Sequence, residues 1–209
     1  MKLVIFGSTG ATGKELVKQA LENGHDVTAF ARNPQKIDDI KSPKLKISSG
    51  DVLDPQSVER AISNQEVVIS AIGAGPERTT LRQDGTRIIV EAMERLSIKR
   101  LISLSSLGVG DSRANLGMVT KYIIIPLFIR HAFSDHEKQE VVIKNCSLDW
   151  IIVRPPHLKD GPRTSTYKHG FPPTEREIKG IISRADVAEF MLKQIEDDKY
   201  LRKTVGISY

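Results

Sequence analysis

The 209-residue chain has a single cysteine, Cys146, so it can form no internal disulfide, and a reducing, cytoplasmic setting suits it. Cys146 falls in an apolar helical stretch and reads as core. Long apolar runs are missing too. The most apolar later stretch, YIIIPLFI from Tyr122 to Ile129, is far too short to cross a bilayer and is broken by Pro126. No leader pattern precedes the first candidate strand, which starts at residue 2. A basic stripe is absent as well: 31 Lys and Arg stand against 26 Asp and Glu, a net charge of +5 that is scattered along the chain. Nucleic-acid binding wants a clustered basic face, so the charge reads as solubility with a bias toward anionic ligands. No Cys/His/Asp set has metal spacing, and no repeat or low-complexity linker divides the chain. One domain over 1–209 is expected, acting as a monomer on a small molecule, with neither membrane nor nucleic acid as partner.

What is present begins at the N-terminus. Leu3, Val4, Ile5 and Phe6 form an apolar run of the kind buried on both faces of a parallel sheet, and Leu16, Val17, Ala20 and Leu21 recur at helical spacing. Between them GSTGATG sets Gly7, Gly10 and Gly13 at a strand-to-helix turn. There, free backbone N–H groups and the helix dipole make an anion site, and a pyrophosphate is the expected guest. Lys14 does not make this a Walker A loop, because the preceding spacing is wrong and Glu15 follows.

Apolar runs then alternate with amphipathic segments almost to the C-terminus. This predicts an α/β fold with a doubly wound parallel sheet and helices on both faces. Strands are expected at 2–6, 26–31, 45–48, 67–72, 100–105 and 149–153, and helices at 13–23, 56–63, 82–96, 134–145 and 184–196, with a short one near 34–40. The irregular segments 107–132 and 155–182 follow strand ends and are expected to form the substrate cleft. The second strand ends in Ala31, Arg32 and Asn33, without the acid that would pair with a ribose 2′-hydroxyl. Arg32 and Lys36 instead offer cations to a 2′-phosphate, which predicts NADP(H). Gly73, after the fourth strand, would let the backbone pass close to a cofactor.

IFGSTGATG, GDVL at 50–53, LSS at 104–106, SLDWIIVRPPHL at 147–158 and ISRADVAEFML at 182–192 together carry a family resemblance. The chain resembles the atypical short-chain dehydrogenases/reductases of the NAD(P)H-binding, NmrA-like group, which are Rossmann-like, and within it the biliverdin-IXβ/flavin reductase branch. The resemblance implies that Gly7, Thr9, Gly10, Ala11, Thr12 and Gly13 hold the pyrophosphate. It gives Arg32 and Lys36 the 2′-phosphate, Asp51 and Val52 the adenine, and Ile72 and Gly73 the ribose side. The family has Arg where this chain has Lys36, which makes a bidentate fork there impossible. Ser106 would lie beside the nicotinamide and substrate, and Pro155, Pro156 and His157 in the loop over the carboxamide. By the same resemblance the acceptor is a flavin or a linear tetrapyrrole, with flavin a substrate that comes and goes and not a resident group.

One feature of the superfamily is absent. No tyrosine is followed by lysine four positions on, and the helix that would carry that pair has Ala132 and His136 at those offsets. Carbonyl reduction by a lysine-tuned phenol is therefore not expected; the branch the chain resembles also lacks the pair, which implies a conjugated, electron-poor acceptor that needs little more than proximity and stacking. Candidate catalytic groups are Ser106, His157 and, as a proton source, His136. Arg78 and Arg82 are candidates for steering an anionic acceptor. Two other readings fit the same residues: a sensor that binds NADP(H) without turnover, and a reductase of quinones or enones.

Overall fold

The computed structural model describes residues 1–74, 79–118, 122, 127, 129–172, 175 and 177–209. Strands β1 (Lys2–Phe6), β2 (Asp26–Ala31), β3 (Leu45–Ser49), β4 (Val67–Ser70), β5 (Arg100–Leu104) and β6 (Asp149–Arg154) alternate with helices α1 (Ala11–Glu22), α2 (Pro55–Ile62), α3 (Leu81–Arg95) and α4 (Arg130–Lys144). Beyond β6 come β7 (His157–Lys159), β8 (Lys168–His169), β9 (Ile181–Ser183), α5 (Arg184–Lys193) and β10 (Lys203–Ser208). The main sheet runs β3-β2-β1-β4-β5-β6-β10-β8, and every pairing but β10 with β8 is parallel. The short β7 and β9 pair parallel in a sheet of their own. This is the doubly wound Rossmann-like architecture expected from the sequence.

Strand geometry explains the two cores. Successive side chains alternate faces, so Leu3 and Ile5 of β1 face α1 and α5, while Val4 and Phe6 face the layer of α2, α3 and α4. Ile102, Ile151 and Val153 continue the first core; Leu101, Trp150 and Ile152 continue the second. Both faces are therefore apolar along each central strand, which is why these strands read as unbroken hydrophobic runs.

Several boundaries differ from expectation. The strand expected to reach residue 72 ends at Ser70, the helix expected from 134 starts at Arg130, and the short helix near 34–40 is a single 3₁₀ turn over Pro34–Ile37. Four strands, β7 to β10, were not expected. In β10 only Val205 and Ile207 are apolar, and Lys203, Thr204 and Gly206 dilute the pattern below what a six-residue period-2 run can signal. Asp54 caps α2 ahead of Pro55, as its position suggests. Cys146 lies just beyond α4, half-buried against the second core, and burial pushes its thiol pKa up.

Candidate active site

Strand order reverses between β1 and β4, because β2 and β3 lie on one side of β1 and the rest of the sheet on the other. In such sheets the crevice beyond the carboxyl ends of the strands is the ligand site. A cleft of about 530 Å³ lies there. Its floor comes from strand ends: Phe6, Phe30, Ala31, Ala71, Leu104 and Ser105.

The glycine turn forms one wall. Gly7 has φ +77°, and a Cβ on it would overlap the Ala71 carbonyl across the reversal point. A Cβ on Gly13 would overlap the Gly7 carbonyl, so Gly13 exists for the close packing of α1 on β1. Gly10 differs. Its φ is −73°, a Cβ would meet only the Gly7 carbonyl at 3.3 Å, and the residue lines the cleft together with Thr9, Ala11 and Thr12. Gly10 is also the N-cap of α1, with no capping side chain, and no acid sits in the first turn. The first N–H groups of a helix have no partner inside it. Here they open on the cleft and complement an anion. Ser8, fully buried, donates to the Phe30 carbonyl at 2.8 Å and ties this turn to the end of β2.

Arg32 and Lys36 line the cleft beyond β2, both exposed, and neither has an ion-pair partner among the described residues. Val52, Ile72 and Gly73 line it as well, and a Cβ on Gly73 would meet nothing within 4 Å. Asp51 does not line it: its carboxylate accepts from the Leu53 N–H at 2.9 Å and shapes the turn after β3, so of the pair expected at the adenine only Val52 is on the cleft wall.

At the opposite end lie Ser106, Pro155, Pro156, Leu158 and His136. Ser105, just before Ser106, donates to Glu140 at 2.7 Å, whereas the Ser106 hydroxyl makes only a 3.3 Å contact to the Leu107 carbonyl and is available to a ligand. Glu140 and Arg154, each 2% exposed, pair through two guanidinium nitrogens at 2.6 and 2.8 Å, and Arg154 also reaches Asp111 at 2.5 Å. Burial raises the Glu140 pKa, but Arg154 outweighs it and holds the carboxyl below its ordinary range. This network joins β5, β6 and α4 beneath Ser106.

Three expectations need correction. His157 is exposed and not on the cleft wall: β7 has an exposed–half-buried–exposed pattern, and strand alternation gives the inward position to Leu158. The Leu158 contact was missed because β7 was not foreseen. His136 does line the cleft, but burial, then the charge of Arg82, lower its pKa to about 4, so it is neutral at physiological pH. Gln139 donates its amide to Thr86 and Ser103, leaving its carbonyl oxygen 3.1 Å from His136 Nδ1. A carbonyl only accepts, so the ring proton sits on Nδ1 and the bare Nε2 has no proton to deliver. Arg82 is a wall residue and not a free steering charge. It is 6% exposed, paired to Asp135 at 3.2 Å, and it donates to the Ala74 carbonyl at 2.9 Å. Asp135 also accepts from the backbone N–H groups of Arg82 and Gln83, so α4 caps the start of α3. Arg78 lies outside the described residues, and no described residue of 107–132 lines the cleft.

Two outcomes follow from this geometry. Gly10→Val keeps the fold by circular dichroism and abolishes dinucleotide binding, whereas Gly13→Val, which must part α1 from β1, lowers the melting temperature sharply. Unchanged dinucleotide affinity in folded Gly10→Val would reduce the turn to a structural one. For His136 the sign runs toward acid lability. The unfolded ring, with a pKa near 6.5, binds a proton that the folded ring refuses until about pH 4. Stability is therefore lost as pH falls through that window, by about 3 kcal/mol in all. Urea midpoints between pH 7 and 4 should fall less steeply for His136→Gln than for the unmodified protein.

Comparison with known proteins agrees with this geometry. Residues 7–198 match the family described as NAD(P)H-binding. The Bacillus subtilis (strain 168) protein YwnB is 26% identical over 208 residues, covering 96% of this chain and 94% of its own. A short-chain dehydrogenase/reductase of Veillonella parvula, solved in complex with NADP, superposes with a TM-score of 0.81 at 20% identity, over 100% of this chain and 94% of that one. An anaerobilin reductase of Escherichia coli O157:H7 superposes with a TM-score of 0.82 at 22% identity, over 100% and 97% of the two chains. The match over nearly the whole chain, together with the uncapped helix that opens on the cleft, places this protein in the NAD(P)H-binding family.

Proposed function

We propose that this protein is an NADPH-dependent reductase that passes hydride to a conjugated, electron-poor acceptor of the flavin or linear-tetrapyrrole class. The observation that carries the reading is the make-up of the cleft. One end has an uncapped helix N-terminus and two cations, Arg32 and Lys36, without an ion-pair partner among the described residues; the other has the Ser106 hydroxyl, held only by a 3.3 Å contact to the Leu107 carbonyl, and a neutral imidazole. The first end suits a dinucleotide carrying a 2′-phosphate, which Arg32 can hold by charge-assisted hydrogen bonds. The NADP bound to the Veillonella relative and the tetrapyrrole chemistry in the name of the Escherichia one lie in the same direction.

In the proposed reaction the nicotinamide lies between Ser106 and the Pro155–Pro156 turn, and Ser106 orients it or donates to the acceptor. Flavin or bilin arrives as substrate from the side of Pro155, Pro156 and Leu158. Hydride transfer leaves a delocalised anion or a weakly basic nitrogen, which water can protonate. No described side chain on the cleft is a strong acid, so positioning dominates the chemistry.

A charge-assisted contact to phosphate contributes on the order of 1.5–3 kcal/mol. Arg32→Ala therefore raises the NADPH dissociation constant by about tenfold or more and leaves NADH nearly unchanged; equal affinities for the two cofactors in the unmodified protein would contradict the assignment. Nicotinamide absorbance followed with FMN, riboflavin and biliverdin tests turnover. NADPH binding without oxidation by any of them would favour the sensor reading.

A further inference from the structure

Among the described residues the cleft wall carries four cations and no carboxylate: Arg32, Lys36, Arg82 and Arg184. Arg82 is neutralised by buried Asp135, and Arg32 with Lys36 stands at the 2′-phosphate end. Arg184 is unassigned. Its side chain is 25% exposed, and its partner at 2.8 Å is Asp160, whose own side chain is 90% exposed. An ion pair with one member almost wholly in water is weak and easily exchanged.

The backbone beneath Arg184 is fixed firmly. Ser183, fully buried, accepts from the Asp186 N–H and caps α5, and β9 pairs with β7 so that Ser183 sits opposite Lys159, next to Asp160. Asp186, also fully buried, accepts from the N–H groups of Thr164 and Ser165 and from the Thr164 hydroxyl, pinning the loop after Asp160. Gln19 of α1 donates to the Ala185 carbonyl at 3.0 Å, which joins the start of α5 to the helix whose N-terminus forms the anion cradle. A half-buried guanidinium on a rigid base, on the wall of an acid-free cleft and paired among the described residues only with an exposed carboxylate, is a preorganised fork for a planar or tetrahedral oxyanion.

We propose that Arg184 is a second anion-binding residue of the cleft: its guanidinium leaves Asp160 and takes a phosphate or carboxylate of the bound molecules, with Asp160 acting as a weak competitor that holds the fork in place meanwhile. The inference rests on the reading of the cleft as a dinucleotide and acceptor site. The anion comes either from the cofactor pyrophosphate or from an acidic group on the acceptor.

The experiment uses Arg184→Met, Arg184→Lys and Asp160→Asn in the full chain, with melting temperature as a check on folding. NADPH and NADP dissociation constants come from titration calorimetry, and KM values are compared for FMN, which has a phosphate, and riboflavin, which has none. If the pyrophosphate is the partner, Arg184→Met raises both dissociation constants about tenfold. If the acceptor is the partner, dissociation constants hold, and KM for FMN rises about tenfold while that for riboflavin does not. In either case Arg184→Lys recovers only part of the loss, and Asp160→Asn tightens the affected step. The proposal is overturned if folded Arg184→Met leaves both dissociation constants and the FMN-to-riboflavin ratio unchanged. It is also overturned if Asp160→Asn weakens the affected step as much as Arg184→Met does, since Asp160 would then be a support and not a competitor. Should no acceptor be reduced at all, the reductase reading fails while calorimetry still decides whether Arg184 holds the cofactor; unchanged dissociation constants then overturn the proposal.

Discussion

The close approach of Gly13 to the Gly7 carbonyl is the contact on which the cleft depends. With no Cβ between them, the first turn of α1 lies directly against the end of β1, and Gly7, at positive φ, lies against the Ala71 carbonyl across the point where strand order reverses. Three backbone segments therefore meet without side chains between them. The space a side chain would need is taken by backbone, and this close packing sets the first turn of α1, Ala11 to Gly13, on the cleft wall. Gly10 is the residue on which this arrangement acts: an added Cβ would meet only the Gly7 carbonyl, at 3.3 Å, and the residue borders the cleft.

The far end is held by buried charge. Arg82 with Asp135 fixes α4 on α3, and Glu140 with Arg154 fixes α4 on β6, so two ion pairs clamp the helix that carries His136. Such pairs add little net stability over a well-packed apolar alternative, but removing one partner costs on the order of 3–5 kcal/mol. They also shape the chemistry. The Arg82 charge helps keep His136 neutral, and Glu140 occupies the Ser105 hydroxyl, which leaves Ser106 as the serine free to meet a ligand.

The sheet and the glycine-turn end of the cleft wall were legible in the sequence because both depend on local pattern. Six apolar runs became six parallel strands, and the glycine turn, Arg32, Lys36, Val52, Ile72 and Gly73 all line the cleft. Asp51 fails locally, because it closes its own turn. The other failures depend on partners distant in the chain. The outward ring of His157 follows from a three-residue strand that exists only because β9, more than twenty residues on, pairs with it. The low pKa of His136 is set partly by Arg82 on another helix, and the burial of Arg82 by Asp135. Arg184 was visible within ISRADVAEFML, but only the folding of α5 beside the cleft gives it a role to consider.

The neutrality of the far end narrows the chemistry such a cleft can support. An isolated carbonyl that accepts hydride becomes a basic alkoxide and needs a proton or a strong donor in step with the transfer, which a lysine-tuned phenol supplies in other reductases of this fold. Here the helix positions of that pair hold Ala132 and His136, and His136 is neutral with its proton committed to Gln139. A conjugated acceptor spreads the incoming charge over several atoms and lowers the demand on the protein to holding two flat rings in register. The surfaces available for that among the described residues are Leu104, Pro155, Pro156 and Leu158, all on the cleft wall and none ionisable. The lack of a tuned acid among the described cleft residues thus favours, on physical grounds, the acceptor class proposed for this protein.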